Sequence, residues 1–258
     1  VSTRHYGHGP LNALALHCSL AHAGEWAGIG AALAESVTLT CCDLIGHGTA
    51  PDWVAGTDPT ESSEAIALQA LPGDRVDVIG HSFGAVVALR LALNHPGRVR
   101  RLVLIEPTLF AAARAAGSPE VAPHLTAHTD FAQAIAAGEA ERAAALFTAD
   151  WGTGEDWARL PERQRRYIAE RIHLIPAANP ALMEDCGGLL APGRLEGLAC
   201  PVLLIEGGAS PAIVPAIAAA LAARLPQARR AVVAGAGHML PVTHVAEVAG
   251  EIGRFLTA

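Results

Sequence analysis

Val76-Asp77-Val78-Ile79-Gly80-His81-Ser82-Phe83-Gly84 decides how this chain folds. An apolar run leads into a G-x-S-x-G pentad, and the alanine- and leucine-rich residues that follow extend to Asn94. The order is strand, sharp turn, helix, with a serine at the tip. A turn this tight holds the serine in a strained backbone conformation and brings two backbones together where any Cβ would collide, so glycines flank it. The outcome is a hydroxyl presented beside a helix N-terminus. The pentad alone is a weak signal, and its setting between strand and helix makes it a strong one.

Outward from this point, short apolar runs at 12–16, 37–41, 75–79, 102–105, 202–205 and 230–233 alternate with longer alanine-rich segments. Such alternation predicts parallel strands joined by helical crossovers. Runs that are apolar at nearly every position belong to strands covered on both faces. The fold class is therefore α/β, a mostly parallel central sheet flanked by helices. Between Pro107 and Gly197 the strand signal stops, and helices are expected over 130–138, 139–148, 160–173 and in a short piece near Ala181. Pro119, Pro123, Gly152, Gly154, Pro176, Pro180, Gly187 and Gly188 would mark the turns between them. Residues 1–108 and 197–258 are thus expected to form the core, 109–196 an inserted helical cap, and 243–256 the last helix.

Composition narrows the function classes. A chain of 258 residues, 51% of them hydrophobic, can bury a full core. The net charge is -7 and every one of the 18 basic residues is arginine, with no basic tract to neutralise a phosphate backbone, so nucleic acid is not an expected partner. No apolar leader or span of about 20 residues is present, which excludes a membrane partner and reads as a cytoplasmic protein. Five cysteines without paired spacing imply neither disulfides nor a metal site, and most of the 12 histidines are read as surface or hydrogen-bonded structural residues. No metal or other cofactor is expected, and the oligomeric state is open.

In open parallel sheets reactive groups gather beyond the carboxyl ends of the strands. Ser82 lies there as a candidate nucleophile, and a serine hydroxyl needs a base within hydrogen-bond reach, itself oriented by a third group. His238, in Gly235-Ala236-Gly237-His238-Met239 after the last strand, is the candidate base. Attack on a carbonyl also needs donors for the oxyanion. The Phe83 N–H at the helix N-terminus is one, and the loop after the first apolar run, His17-Cys18-Ser19-Leu20, supplies the second, with the Ser19 N–H chosen and Cys18 as its neighbour to check.

With these residues the chain resembles the α/β-hydrolase fold superfamily, in its capped esterase, enol-lactonase and C–C-hydrolase group. The matching marks are the His17 loop, Asp43-Leu44-Ile45-Gly46-His47-Gly48, the Gly80 to Gly84 elbow, Pro201-Val202-Leu203-Leu204-Ile205, and Gly237-His238. Two departures stand out. The resemblance implies His-Gly at the oxyanion loop, where this chain has His17-Cys18. It also implies a triad aspartate where Ser210 stands. Since the superfamily tolerates an acid after the preceding strand, Glu106 is taken as the acid, with Glu206 second, and a dyad oriented by Ser210 third. Relatives also carry an extra edge strand ahead of the segment seen here, which implies a short or trimmed N-terminal edge.

The expected substrate is a small, largely apolar ester or lactone, cleaved through an acyl-enzyme. Trp151, Trp157, Phe147, Phe110, Met239 and Leu240 are candidates to line its pocket, the alternative being that the aromatics join cap to core. Arg159, Arg163, Arg165, Arg166 and Arg171 read as a solvated face, or as the source of one inward arginine that grips a carboxylate. Trp26 and Trp53 are assigned to the core, His81 and His47 to structural or pocket-lining roles. A lyase or acyltransferase on the same scaffold, or a small-molecule receptor without activity, are the competing functions.

Overall fold

In the computed structural model, which describes residues 1–258, all six apolar runs are strands. In chain order the strands are β1 (Thr3–Tyr6), β2 (Leu11–Leu16), β3 (Val37–Cys42), β4 (Val76–His81), β5 (Val99–Ile105), β6 (Val202–Gly207) and β7 (Ala228–Val233). They form one sheet in the order β1-β3-β2-β4-β5-β6-β7. Only β1 runs antiparallel, against β3. It is the strand without an apolar run: its sequence, Thr-Arg-His-Tyr, sits at an edge where no residue is fully buried.

The helices are α1 (Ala27–Ala32), α2 (Pro59–Ala70), α3 (Phe83–Asn94), α4 (Phe110–Ala115), α5 (Val121–Ala127), α6 (Thr129–Ala136), α7 (Ala140–Trp151), α8 (Glu162–Arg171), α9 (Leu174–Glu184), α10 (Ile213–Ala222), α11 (Leu240–Thr243) and α12 (Val245–Thr257). Alternate strand residues enter opposite cores. Leu14, Leu16, Val78, Leu102, Leu104 and Leu204 pack with α2, α3 and α10, whereas Ala13, Ala15, Ile79, Val103, Ile105 and Ile205 pack with α12 and Trp26. Double coverage is the reason these strands read as continuous apolar runs. The one acidic residue in β4, Asp77, is buried and paired with Arg100 on β5 at 2.9 Å and 2.5 Å.

Helices α4 to α9 occupy the stretch between β5 and β6, with a small core of their own around Phe131, Ala143, Leu160 and Ile168. Here one expectation fails. Pro176 and Pro180, expected in turns, both lie in α9, an 11-residue helix rather than a short piece. Pro176 sits in the first turn, where its missing N–H costs nothing, and Pro180 forfeits one internal bond. Pro123 is likewise in the first turn of α5, not in a connection.

Strand order places the chemistry. The chain runs from β2 outward to β3, then returns to β4 on the other side of β2, so the carboxyl ends of β2 and β4 diverge at a switch point. Leu16 pairs with Gly80 there, which sets the loop after β2 beside the turn after β4.

Candidate active site

Ser82 has φ 56° and ψ -118°, outside the regions open to most residues, and is held by its N–H donating to the Ile105 carbonyl at 2.8 Å. A Cβ on Gly80 would strike the Gly84 carbonyl and Ala85, and one on Gly84 would strike the Leu16 and His17 carbonyls. Gly80 therefore lets α3 leave β4 at close range, and Gly84 lets it pass the end of β2. Phe83 is the first residue of α3, so its N–H has no acceptor within the helix.

The loop after β2 divides its amides between two tasks. The Cys18 N–H donates to Glu25 Oε2 at 2.9 Å, and the Leu20 N–H donates to His47 Nε2 at 3.0 Å. Between them, the Ser19 N–H has no acceptor in the protein, and Ser19 faces the same cavity as Ser82. Leu20 takes φ 64°, a strained value for a leucine, and His47 holds it there.

His238 is buried and lines that cavity as well. Its Nδ1 lies 2.6 Å from Glu106 Oε2, and its Nε2 has no protein partner. Glu106 is fully buried with φ 44°, and its other oxygen accepts from the Gly207 N–H at 2.6 Å and the Ser210 hydroxyl at 2.5 Å. Ser210 thus reaches the carboxylate and not the imidazole. Glu206 points elsewhere, to Arg230 at 2.6 Å. Burial pushes the Glu106 carboxyl up, but the hydrogen bond and charge of His238, with those of Ser210 and Gly207, outweigh it and hold the group below the usual range. Burial lowers His238, more than Glu106 raises it, so the imidazole favours its neutral form.

Above these groups lies a cavity of about 570 Å³ roofed by the helical insertion. Trp151 from α7 meets His238 edge-on with ring centres 4.7 Å apart, and Phe110, Phe147 and Met239 also line the space. Trp157 does not: it packs on the small core of the insertion with Phe131 and Leu160. Leu240 is buried in the core beneath the sheet instead. None of the five arginines from 159 to 171 reaches the cavity, and its lining contains no Asp, Glu, Lys or Arg. Trp26 is fully buried and Trp53 packs against the larger core.

Two clusters go beyond what the sequence indicates, the pair His124 and His128, and the partner of His81, which was expected only to be structural or pocket-lining. His124 and His128, four residues apart, line the cavity beside Trp151. The Trp151 indole N–H donates to His128 Nε2 at 2.9 Å, while His128 Nδ1 faces the His124 carbonyl at 2.9 Å, so His128 is a neutral imidazole. Burial, then the neighbouring His128, lowers His124 to about 4. In the second cluster His81 has the structural role expected of it, with a partner the sequence does not reveal: its Nδ1 lies 2.6 Å from Glu25 Oε1, both side chains sealed from solvent. The Cys18, Glu25 and His81 donor atoms lie within 4.8 Å of one another, the spacing of a metal site. Both His81 nitrogens and both Glu25 oxygens are already engaged by protein groups, so the set is a hydrogen-bond network.

Residues 13–251 match the family model described as "Alpha/beta hydrolase family". The chain is 32% identical over 253 residues to a pimeloyl-[acyl-carrier protein] methyl ester esterase of Aeromonas hydrophila, covering 95% of this chain and 94% of the relative. It is also 32% identical over 233 residues to the protein of the same name from Nitrosomonas europaea, covering 90% of each. Among solved structures, a hydrolase from Pseudomonas aeruginosa PA01 superposes with a TM-score of 0.74 at 22% identity, covering 99% of this chain and 94% of that one. Carboxylesterase CesB from Bacillus subtilis does so with a TM-score of 0.73 at 20% identity, covering 98% and 86%. At such identities these two structures speak to the fold alone.

Proposed function

The chain belongs to the alpha/beta hydrolase family, and on that premise we propose that it is a serine hydrolase that cleaves an uncharged ester or lactone through an acyl-enzyme. The observation that carries this reading is the convergence on one cavity of a serine at a strained turn and an imidazole whose Nδ1 lies 2.6 Å from a buried carboxylate. In the proposed cycle His238 Nε2 takes the Ser82 proton as Oγ adds to the substrate carbonyl. The oxyanion is held by the Ser19 and Phe83 N–H groups, each worth about 3 kcal/mol to the transition state. The carbonyl then re-forms, the C–O bond to the leaving group breaks, and His238 returns its proton to the departing alcohol. Water repeats the sequence on the acyl-enzyme and releases the acid. Glu106 orients His238 and stabilises it as imidazolium.

Substrate class follows from the lining. Aromatic and aliphatic side chains without a fixed charge suit a neutral acyl chain, and the two methyl ester esterases named above are consistent with an ester. The helical insertion acts as the cap over this chamber, within the division 1–108 and 197–258 against 109–196. A fluorophosphonate probe and a series of p-nitrophenyl esters test the reading. Wild-type protein is expected to label stoichiometrically at Ser82 and to turn over short and medium acyl esters, and Ser82→Ala to lose both. Turnover that survives in Ser82→Ala would overturn it.

A further inference from the structure

Behind the Ser82 and His238 pair lies a second carboxylate and imidazole that the proposed cycle does not use. His81 immediately precedes Ser82, and its ring centre is 5.0 Å from that of His238. Its Nε2 is 2.9 Å from the His238 carbonyl oxygen, and its Nδ1 is 2.6 Å from Glu25 Oε1. A carbonyl only accepts, so the Nε2 carries a hydrogen. The remaining proton lies between Nδ1 and Oε1, because the other Glu25 oxygen already accepts from the Cys18 N–H. Burial opposes charge on His81, but the Glu25 charge and hydrogen bond outweigh it and raise its pKa. Burial also raises Glu25, and His81 overrides that to lower it. The 2.6 Å contact and both directions fit an imidazolium beside a carboxylate.

We propose that Glu25 and His81 form a buried ion pair that positions the catalytic groups, tying the loop that carries the Ser19 amide to the loop that carries His238, and holding a positive charge behind His238 that favours its neutral, proton-accepting form. This rests on the serine hydrolase reading above. By engaging the Cys18 amide, Glu25 turns the next amide, that of Ser19, toward the cavity. His81 fixes the backbone of His238 through its carbonyl. The groups facing the His238 ring are Glu106 at Nδ1, His81 behind it with Glu25 beyond, and uncharged Trp151 across its edge, with neutral His128 and His124 on the far side of Trp151. Of these charges His81 alone is positive.

Glu25→Gln separates charge from geometry. The glutamine oxygen can accept from Cys18 N–H and its amide can donate to His81 Nδ1, so every hydrogen bond survives while the pair loses its charge. The expected result is that the acid limb of kcat/KM for a p-nitrophenyl ester moves to higher pH by about half a unit, since the lost imidazolium charge is partly offset by the lost carboxylate charge. KM should change little. His81→Asn removes the tie to His238 as well and should lower kcat by a further ~10-fold. Nitrogen chemical shifts of labelled histidine read the pair without activity: His81 is expected to be doubly protonated at pH 7 in wild type and in Ser82→Ala, and singly protonated in Glu25→Gln. A singly protonated His81 at pH 7 in wild type, or an acid limb unmoved in Glu25→Gln, would overturn the inference. Loss of the Ser82 reading would appear separately, as turnover that persists in Ser82→Ala.

Discussion

Glu106 and Glu206 stand in matching places, each straight after an Ile that ends an apolar run, yet only one reaches the histidine. β5 stops at Ile105, and the chain turns at Glu106 with φ 44°, swinging the carboxylate toward His238. β6 instead continues through Glu206 to Gly207, so the strand alternation sends that side chain sideways to Arg230. Chain order fits either acid, since both lie between Ser82 and His238, and the direction of each carboxylate depends on a backbone angle that composition does not encode. Ser210, the third alternative as orienter of the histidine, bonds Glu106 instead. Glu106→Gln is expected to lower kcat by roughly 10³-fold or more, by removing the charge that stabilises imidazolium. Ser210→Ala, which deletes one of three hydrogen bonds to that carboxylate, should cost nearer 10-fold. Steady-state kinetics on one ester substrate, with circular dichroism as a check on folding, measures both.

At the scale of elements, the elbow was fully legible because steric exclusion leaves so few residues that can occupy it. Gly84→Ala is expected to destabilise the protein by several kcal/mol, since the new Cβ meets backbone carbonyls that cannot rotate away, and a urea melt reads the loss. The edge strand β1 was illegible for the converse reason: half-exposed and polar, it leaves no pattern. Helix α8 was found, but its attachment was not. The Tyr167 hydroxyl donates to the Ala21 carbonyl at 2.8 Å and accepts from the Gly48 N–H at 3.0 Å, bolting the insertion to the loops that follow β2 and β3. Residues 146 apart in sequence give no local signal for such a bond. Tyr167→Phe should lose about 1–2 kcal/mol of stability and speed amide hydrogen exchange in α8, with Ser82 labelling retained.

For the molecule as a whole, the histidines set the response to mild acid, since the lowered carboxylates titrate only in stronger acid. His47 is lowered to about 3 by burial and by His17, and His17, His124 and His238 are also lowered with burial as the first cause. In the unfolded chain each takes up a proton near pH 6.5, which the folded protein resists, so their contribution is whole above that pH and is lost as pH falls toward the folded values. His81, raised instead, contributes below pH 6.5 and loses its share as pH rises through its folded value. Four groups oppose one, and the urea midpoint is expected to fall between pH 7 and pH 5. A midpoint that rises over this interval would contradict the buried neutral imidazoles.

The uncharged lining of the chamber has a further bearing on turnover. In the proposed reaction an ester enters as a neutral molecule, but the acid set free ionises, and the walls offer its new charge no arginine or lysine. An unpaired carboxylate held among Phe, Trp and Ile side chains is costly, whereas outside it is fully hydrated. Admission thus favours the reactant and eviction favours the product, which gives the cycle a built-in direction of traffic.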